Sequence, residues 1–301
     1  MTYSIVARDE KTGEMGVAVQ SHFFSVGSVV TWARAGVGAV ATQAMVDVRY
    51  GPLGLELMSG GKSAEEALSA LLRCDPSSES RQVAMVDSKG TVAAHTGKKC
   101  IPHAGHVTGQ GLSCQGNIMR NERVWGAMKK EFEKNHALPL AERMVSALEA
   151  AEKTGGDIRG KQSSAILIVS PESKPNYWEG RLVDLRVEDH TAPVPELGRL
   201  LRYQRGYEWE NRGDELLTAR DYPKAMEAYT KAYSLVPEVD ELKYWAGIGL
   251  LSSGSAQKGE KILKEVIAKD RNWAEVTRGL AKVGSPPIAA DVLKRVLGEK
   301  A

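Results

Sequence analysis

The second residue is a threonine, and a strand-like run begins on it: Thr2-Tyr-Ser-Ile-Val-Ala-Arg8, rich in β-branched and aromatic types. Cellular methionine removal acts where the second residue is small, and here it would leave one residue carrying both a hydroxyl and a free α-amine. An α-amine titrates at about 7.7–8, close to what a general base needs near neutral pH. Threonine paired with its own terminal amine is an activated nucleophile, able to attack an amide through an acyl-enzyme. Chain ends fray unless tied into a sheet, so a strand starting at once would hold that nucleophile still.

Such a reaction needs donors for the tetrahedral oxyanion. Asn117, in Gln115-Gly116-Asn117, offers an amide, and Gly116 lets backbone approach closely. Asn117 could equally cap a helix expected from Arg120. Arg34 interrupts an apolar strand, where a charge needs a partner or a site. It could bind a substrate carboxylate, lower the amine's pKa, or pair with a structural acid.

Cys100-Ile-Pro-His103-Ala-Gly-His106, with His95 upstream, has metal-like spacing. Pro102 and Gly105 break it into an irregular loop, and no acidic fourth ligand stands out, so the expectation is no metal and no cofactor. Gly109-Gln-Gly111-Leu-Ser-Cys114 falls one glycine short of a dinucleotide fingerprint; a P-loop, a G-x-S-x-G elbow and H-E-x-x-H are missing too.

Forty basic and 38 acidic residues in 301 leave a net charge of +2, which gives no support to a nucleic-acid or polybasic membrane role. Three scattered cysteines, Cys74, Cys100 and Cys114, suit a reduced, cytoplasmic setting. The first residues lack the pattern of a signal peptide, and Val26–Val46 reads as buried sheet broken by Arg34, not as a membrane span.

The length suggests two domains. Strands are expected at 2–8, 15–21, 29–34, 38–43, 82–86, 91–95, 165–170 and 182–187, and helices at 64–73 (opened by a Ser63/Glu66 capping box), 120–134 and 140–153. This order suggests stacked antiparallel sheets flanked by helices, an α+β domain over 1–190. After a linker at 191–204, residues 205–301 lose the strand pattern and repeat with a period of 34: Gly213 falls on Gly247, Leu216 on Leu250, Tyr229 on Leu263. The stretch Gly213-Asp214 … Tyr222-Pro223-Lys224-Ala225 … Tyr229 … Ala232 … Pro237 resembles a tetratricopeptide repeat, with a degenerate third unit over Trp273–Leu297 around Pro286-Pro287. So short an array predicts packing on the first domain or a second copy, a homo-oligomer, or a protein partner held by the repeats.

Thr2–Asp9, Gly16–Val19, Ser21 with Val26-Gly27, Trp32–Gln43, Arg49-Tyr-Gly-Pro52, Ala104–His106, Gln115–Asn117, Gly160–Ser163 and Arg181–Val187 together resemble the domain-of-unknown-function family 1028. That family is placed among the N-terminal-nucleophile hydrolases, beside proteasome subunits and penicillin acylases. The resemblance implies a four-layer αββα sandwich over residues 2–190 and, less firmly, hydrolysis of a small amide or peptide-like bond. The helical tail is a departure from relatives that end after the first domain. Within that frame Ser163 or Ser164 would orient the terminal amine, Asp184 would partner Arg34 or steady the site, and His106 would transfer protons. Gln43, Tyr50, Gln115 and Gly116 complete the set of expected substrate contacts. The alternative is a catalytically silent scaffold that recruits a partner through its repeats.

Overall fold

The computed structural model describes residues 2–176, 178–252, 255–284 and 288–298. The chain divides into two units, the first ending at Leu201 and the second beginning at Arg202. In the first unit, one antiparallel sheet contains β1 (Thr2–Arg8), β2 (Met15–Ser21), β7 (Gly105–Gly109), β8 (Leu112–Asn117), β9 (Ser163–Val169) and β10 (Arg181–Val187), in the order β10-β9-β2-β1-β8-β7. The other contains β3 (Thr31–Arg34), β4 (Gly38–Ala44), β5 (Arg81–Asp87) and β6 (Val92–Thr96), in that order.

Alternation along each strand decides what lies on either side. Val6, Val17, Val19, Ala165 and Leu167 of the larger sheet form one buried cluster with Ala39, Ala41, Ala84 and Val86 of the smaller, so the sheets pack face to face. Each such valine stabilises by about 1.5–3 kcal/mol when withdrawn from water. The intervening residues, Tyr3, Ile5, Ala18, Ile166 and Ile168, pack against α3 (Val124–Lys134) and α4 (Leu140–Lys153). Val40, Val83 and Met85 pack against α1 (Tyr50–Ser59) and α2 (Ala64–Cys74). Ser63 and Glu66 close the expected capping box at α2.

Three elements differ from the sequence expectation. Residues 105–117, where no strand was expected, form the hairpin β7–β8, with Gly111 at φ +65° in its turn. The segment 50–59 is helical despite Gly51, Pro52 and Gly54; Pro52 lies in the first turn, where its missing N–H costs nothing. Residues 193–204, read as linker, open the long helix α5 (Pro193–Thr218), whose Val194, Leu197 and Leu201 join the core of the first unit.

The second unit is all-helical: the remainder of α5, then α6 (Tyr222–Leu235), α7 (Asp240–Ser252), α8 (Ala256–Lys269), α9 (Asn272–Val283) and α10 (Ala290–Leu297). A Cβ on Gly213 would lie 2.5 Å from the Tyr229 ring, and one on Gly247 would lie 2.9 Å from Leu263. The 34-residue shift therefore carries a contact as well as a residue pattern. Pro286 and Pro287 lie outside the described residues. Among the described residues, no helix is long and apolar enough to cross a membrane.

Glu210 is 8% exposed, and burial, then Asp214 and Glu241, push its carboxyl up to about 7 from an ordinary 4.5. The folded chain thus holds a proton that the unfolded chain releases, so this contribution is complete below pH 4.5 and is lost as pH rises through 7. In thermal unfolding of the full chain, Glu210→Gln is expected to melt above the parent at pH 8 and with it at pH 4.5.

Candidate active site

Register brings the polar residues of four strands into one line. Thr2 pairs with Asn117 of β8 on one side and Ser21 of β2 on the other, and Ser21 pairs with Ser163 of β9. All four side chains are buried and point between the sheets, in the same layer as Val6 and Val17 further along. Behind them, Ser4 pairs with Gln115. Thus the space between the sheets is apolar over most of its length and polar at the end where β1 begins.

Hydrogen bonds close that end. Thr2 Oγ1 donates to Ser21 Oγ at 3.1 Å. The Thr2 carbonyl accepts from Gln43 Nε2 at 3.1 Å and Asn117 Nδ2 at 3.4 Å. Those two amides also converge on Gln82 Oε1, at 2.7 and 2.9 Å. Gln82 Nε2 donates to the carbonyls of Gly116 and Gly105 and to Thr96 Oγ1, at 2.8–3.1 Å. Ser4 Oγ donates to Gln43 Oε1 and accepts from Gln115 Nε2, both at 2.7 Å; Gln115 Oε1 accepts from Ser113. Thr96 Oγ1 lies 2.9 Å from His106 Nδ1, so the chain of bonds runs from the Thr2 carbonyl to an exposed imidazole. Partial desolvation of the ring, then His95, lowers the His106 pKa from the ordinary imidazole value.

The structure thus brings together Thr2, Gln43, Gln115, Gly116, Asn117 and Ser163, with His106 at the far end of the network. Ser163 Oγ accepts from the Val26 N–H at 3.0 Å and donates to the Phe23 carbonyl at 2.5 Å, so it holds the turn after β2. Ser164 faces the other way and donates to the Pro193 carbonyl. Asn117 ends β8 and caps no helix; α3 starts only at Val124.

Three expected residues stand elsewhere. Arg34 is exposed where β3 ends opposite Gly38, five residues or about 17 Å along β4 from Gln43; the apolar run stops there instead of burying a charge. Asp184 is exposed on the edge strand β10 and pairs with Arg181 at 2.7 Å and Arg186 at 3.6 Å, not with Arg34. The Tyr50 hydroxyl donates to Asp75 at 3.1 Å in a cluster under α1, and burial, then Asp75, holds its pKa well above the usual phenol range. The Cys100 thiol donates to the Arg81 carbonyl, His95 meets the Ser78 carbonyl and His103 faces Glu122. No group of three or more metal-ligating side chains converges among the described residues.

Ser4, Ser21, Gln82, Ser113 and Thr96 were missed by sequence reasoning. Thr2-x-Ser4 and Ser113-x-Gln115-x-Asn117 alternate with period two, a signal that could have found Ser4 and Ser113. Gln82 has no local signature.

The profile of a family of unknown function, DUF1028, matches residues 2–197, a span that includes the whole polar row and its hairpins. The chain belongs to the DUF1028 family. A crystal structure of a DUF1028-family protein, SPO2555 from Silicibacter pomeroyi, is similar over 67% of this chain and 88% of its own, at 30% identity and a TM-score of 0.60. Comparison with curated proteins finds no match.

Gln82→Leu is expected to cost about 3 kcal/mol, because it strips partners from Gln43, Asn117, Thr96 and the carbonyls of Gly105 and Gly116. Arg34→Ala and Asp184→Ala should each stay within about 0.5 kcal/mol. Urea unfolding of the three variants checks the contrast.

Proposed function

We propose that this DUF1028 domain is an N-terminal-nucleophile hydrolase of a small amide or peptide-like bond, with Thr2 as nucleophile once Met1 is removed. The observation that carries the reading is the Thr2 hydroxyl at the first position of a central strand, flanked in register by Asn117, Ser21 and Ser163. The sheet pair with helices over its outer faces fits the αββα sandwich of that superfamily. Freed of Met1, the α-amine would share a residue with Oγ1. It would take the hydroxyl proton as Oγ1 attacks the carbonyl carbon, then pass it to the departing amine. Water would next cleave the acyl ester and regenerate Thr2.

Gln43 and Asn117 serve this scheme first as clamps, since both bind the Thr2 carbonyl. Exposed Phe23 and Phe24 follow β2 and exposed Met45 and Val46 follow β4, which suits a substrate with an apolar acyl group. No step needs a cofactor. The second unit we read as tetratricopeptide-like, on the repeated Gly213/Tyr229 and Gly247/Leu263 contact; its use would be to hold a protein partner or a second copy.

Screening a panel of N-acyl p-nitroanilides against the processed protein tests the reaction. Thr2→Ala is expected to lower any hydrolysis found by at least about 10³-fold, while Thr2→Ser keeps it within roughly tenfold. Full activity in Thr2→Ala would overturn the mechanism, and a processed protein that hydrolyses none of the panel would leave the silent-scaffold reading.

A further inference from the structure

The second unit holds a carboxyl group that its own fold leaves unused. Tyr207, Glu210 and Asp214 follow one another at three- and four-residue spacing along α5, so they share one face of that helix. The Tyr229 hydroxyl of α6 donates to Asp214 Oδ1 at 2.6 Å. The Tyr207 hydroxyl donates to Glu241 Oε2 of α7 at 2.6 Å, and Trp245 Nε1 donates to Glu241 Oε1 at 3.4 Å. Glu210 stands on the α5 face between these two bonded carboxylates.

Glu210 is only 8% exposed, yet among the described residues no hydrogen bond or ion pair engages its carboxyl. Neither of its oxygens is sealed off, so a ligand can reach both. The charges that act on it are those of Asp214 and Glu241, and no basic side chain among the described residues offsets them. A buried polar group almost always finds a partner. Three carboxyl groups gathered without one cation, the middle one desolvated and unbonded, call for a cation from outside.

We propose that this face of the second unit binds a primary ammonium group, of the kind carried by a lysine side chain or a free polyamine. Tyrosine and tryptophan already occupy one oxygen of Asp214 and both oxygens of Glu241. Three acceptor oxygens stay open, two on Glu210 and one on Asp214, and an ammonium group has three N–H donors. The four-residue spacing brings those two carboxyls within reach of one nitrogen, while Glu241 adds attraction without a bond. A guanidinium would commit its flat fork to one carboxylate and leave the other unpaired. A magnesium or calcium ion takes about six to eight oxygens, and among the described residues no group of three or more metal-ligating side chains converges. Burial, then Asp214 and Glu241, push the Glu210 carboxyl up to about 7, so the ammonium displaces a proton and binds more tightly as pH rises through that value. The site depends on neither the hydrolase reading nor the repeat assignment.

Titration of ¹⁵N-labelled full-length protein with butylammonium, butylguanidinium and 1-butanol at constant ionic strength, read at the Trp245 indole N–H, tests it. Butylammonium is expected to shift this signal at pH 8 with a Kd of about 1–10 mM, in keeping with five heavy atoms. At pH 5.5 it should bind at least about tenfold more weakly, and so should butylguanidinium and butanol at pH 8. Glu210→Gln, a variant expected to melt above the parent at pH 8, should lose the response at least about tenfold, and Thr2→Ala should keep it. Both sources of the ammonium support the proposal: tighter binding of acetyl-Ala-Lys-Ala-amide than of 1,4-diaminobutane assigns it to a protein partner, and the reverse order to a polyamine. No response to butylammonium, equal binding of butylguanidinium or butanol, or a full response in Glu210→Gln would overturn the proposal and leave a protonated carboxyl that takes no ligand.

Discussion

Two sheets packed face to face enclose a layer that excludes water, and every polar group placed there must find a partner inside it. At one end of this layer the chain places three side-chain amides, Gln43, Gln82 and Asn117, on three different strands, and Gln82 satisfies the other two. The same residue holds carbonyls on β7 and β8. One neutral amide therefore fixes how the small sheet meets the large one. Any slip of one residue in β1 would turn Thr2 and Ser4 out of this network and Tyr3 into it.

The clamp on the Thr2 carbonyl follows from that constraint. A nucleophile at a chain end needs its orientation supplied by neighbours, because nothing precedes it to hold it once it is freed. In the proposed reading that residue is Thr2: β2 and β8 pair with it on both sides, and Gln43 reaches its carbonyl from the facing sheet. The network is built from amides and hydroxyls with no ion pair, so its hydrogen bonds persist across a wide pH range. Charge stands outside it, in the Arg159–Asp157 pair behind β2.

The sequence made the apolar half of this arrangement legible and left the polar half obscure. Val6, Val17 and Val19 advertise their strands through alternation, and both strands emerged as expected. In β8 the inward residues are Ser113, Gln115 and Asn117, so hydrophobic periodicity runs backwards and no strand was expected there. Arg34 and Asp184 misled for a related reason. A charge next to an apolar run reads as buried, whereas one marks the end of a strand and the other the open face of an edge strand. Gln82 escaped notice because its role exists only where β5 meets β8 in space, 35 residues from Asn117 along the chain.

The central claim is that Thr2 becomes a reactive N-terminal nucleophile. Intact-mass analysis of the purified protein after exposure to a β-lactone, followed by peptide mapping, tests it most directly. The account predicts a chain lacking Met1 and carrying a single acyl adduct on Thr2. An unmodified chain that still carries Met1 would contradict it.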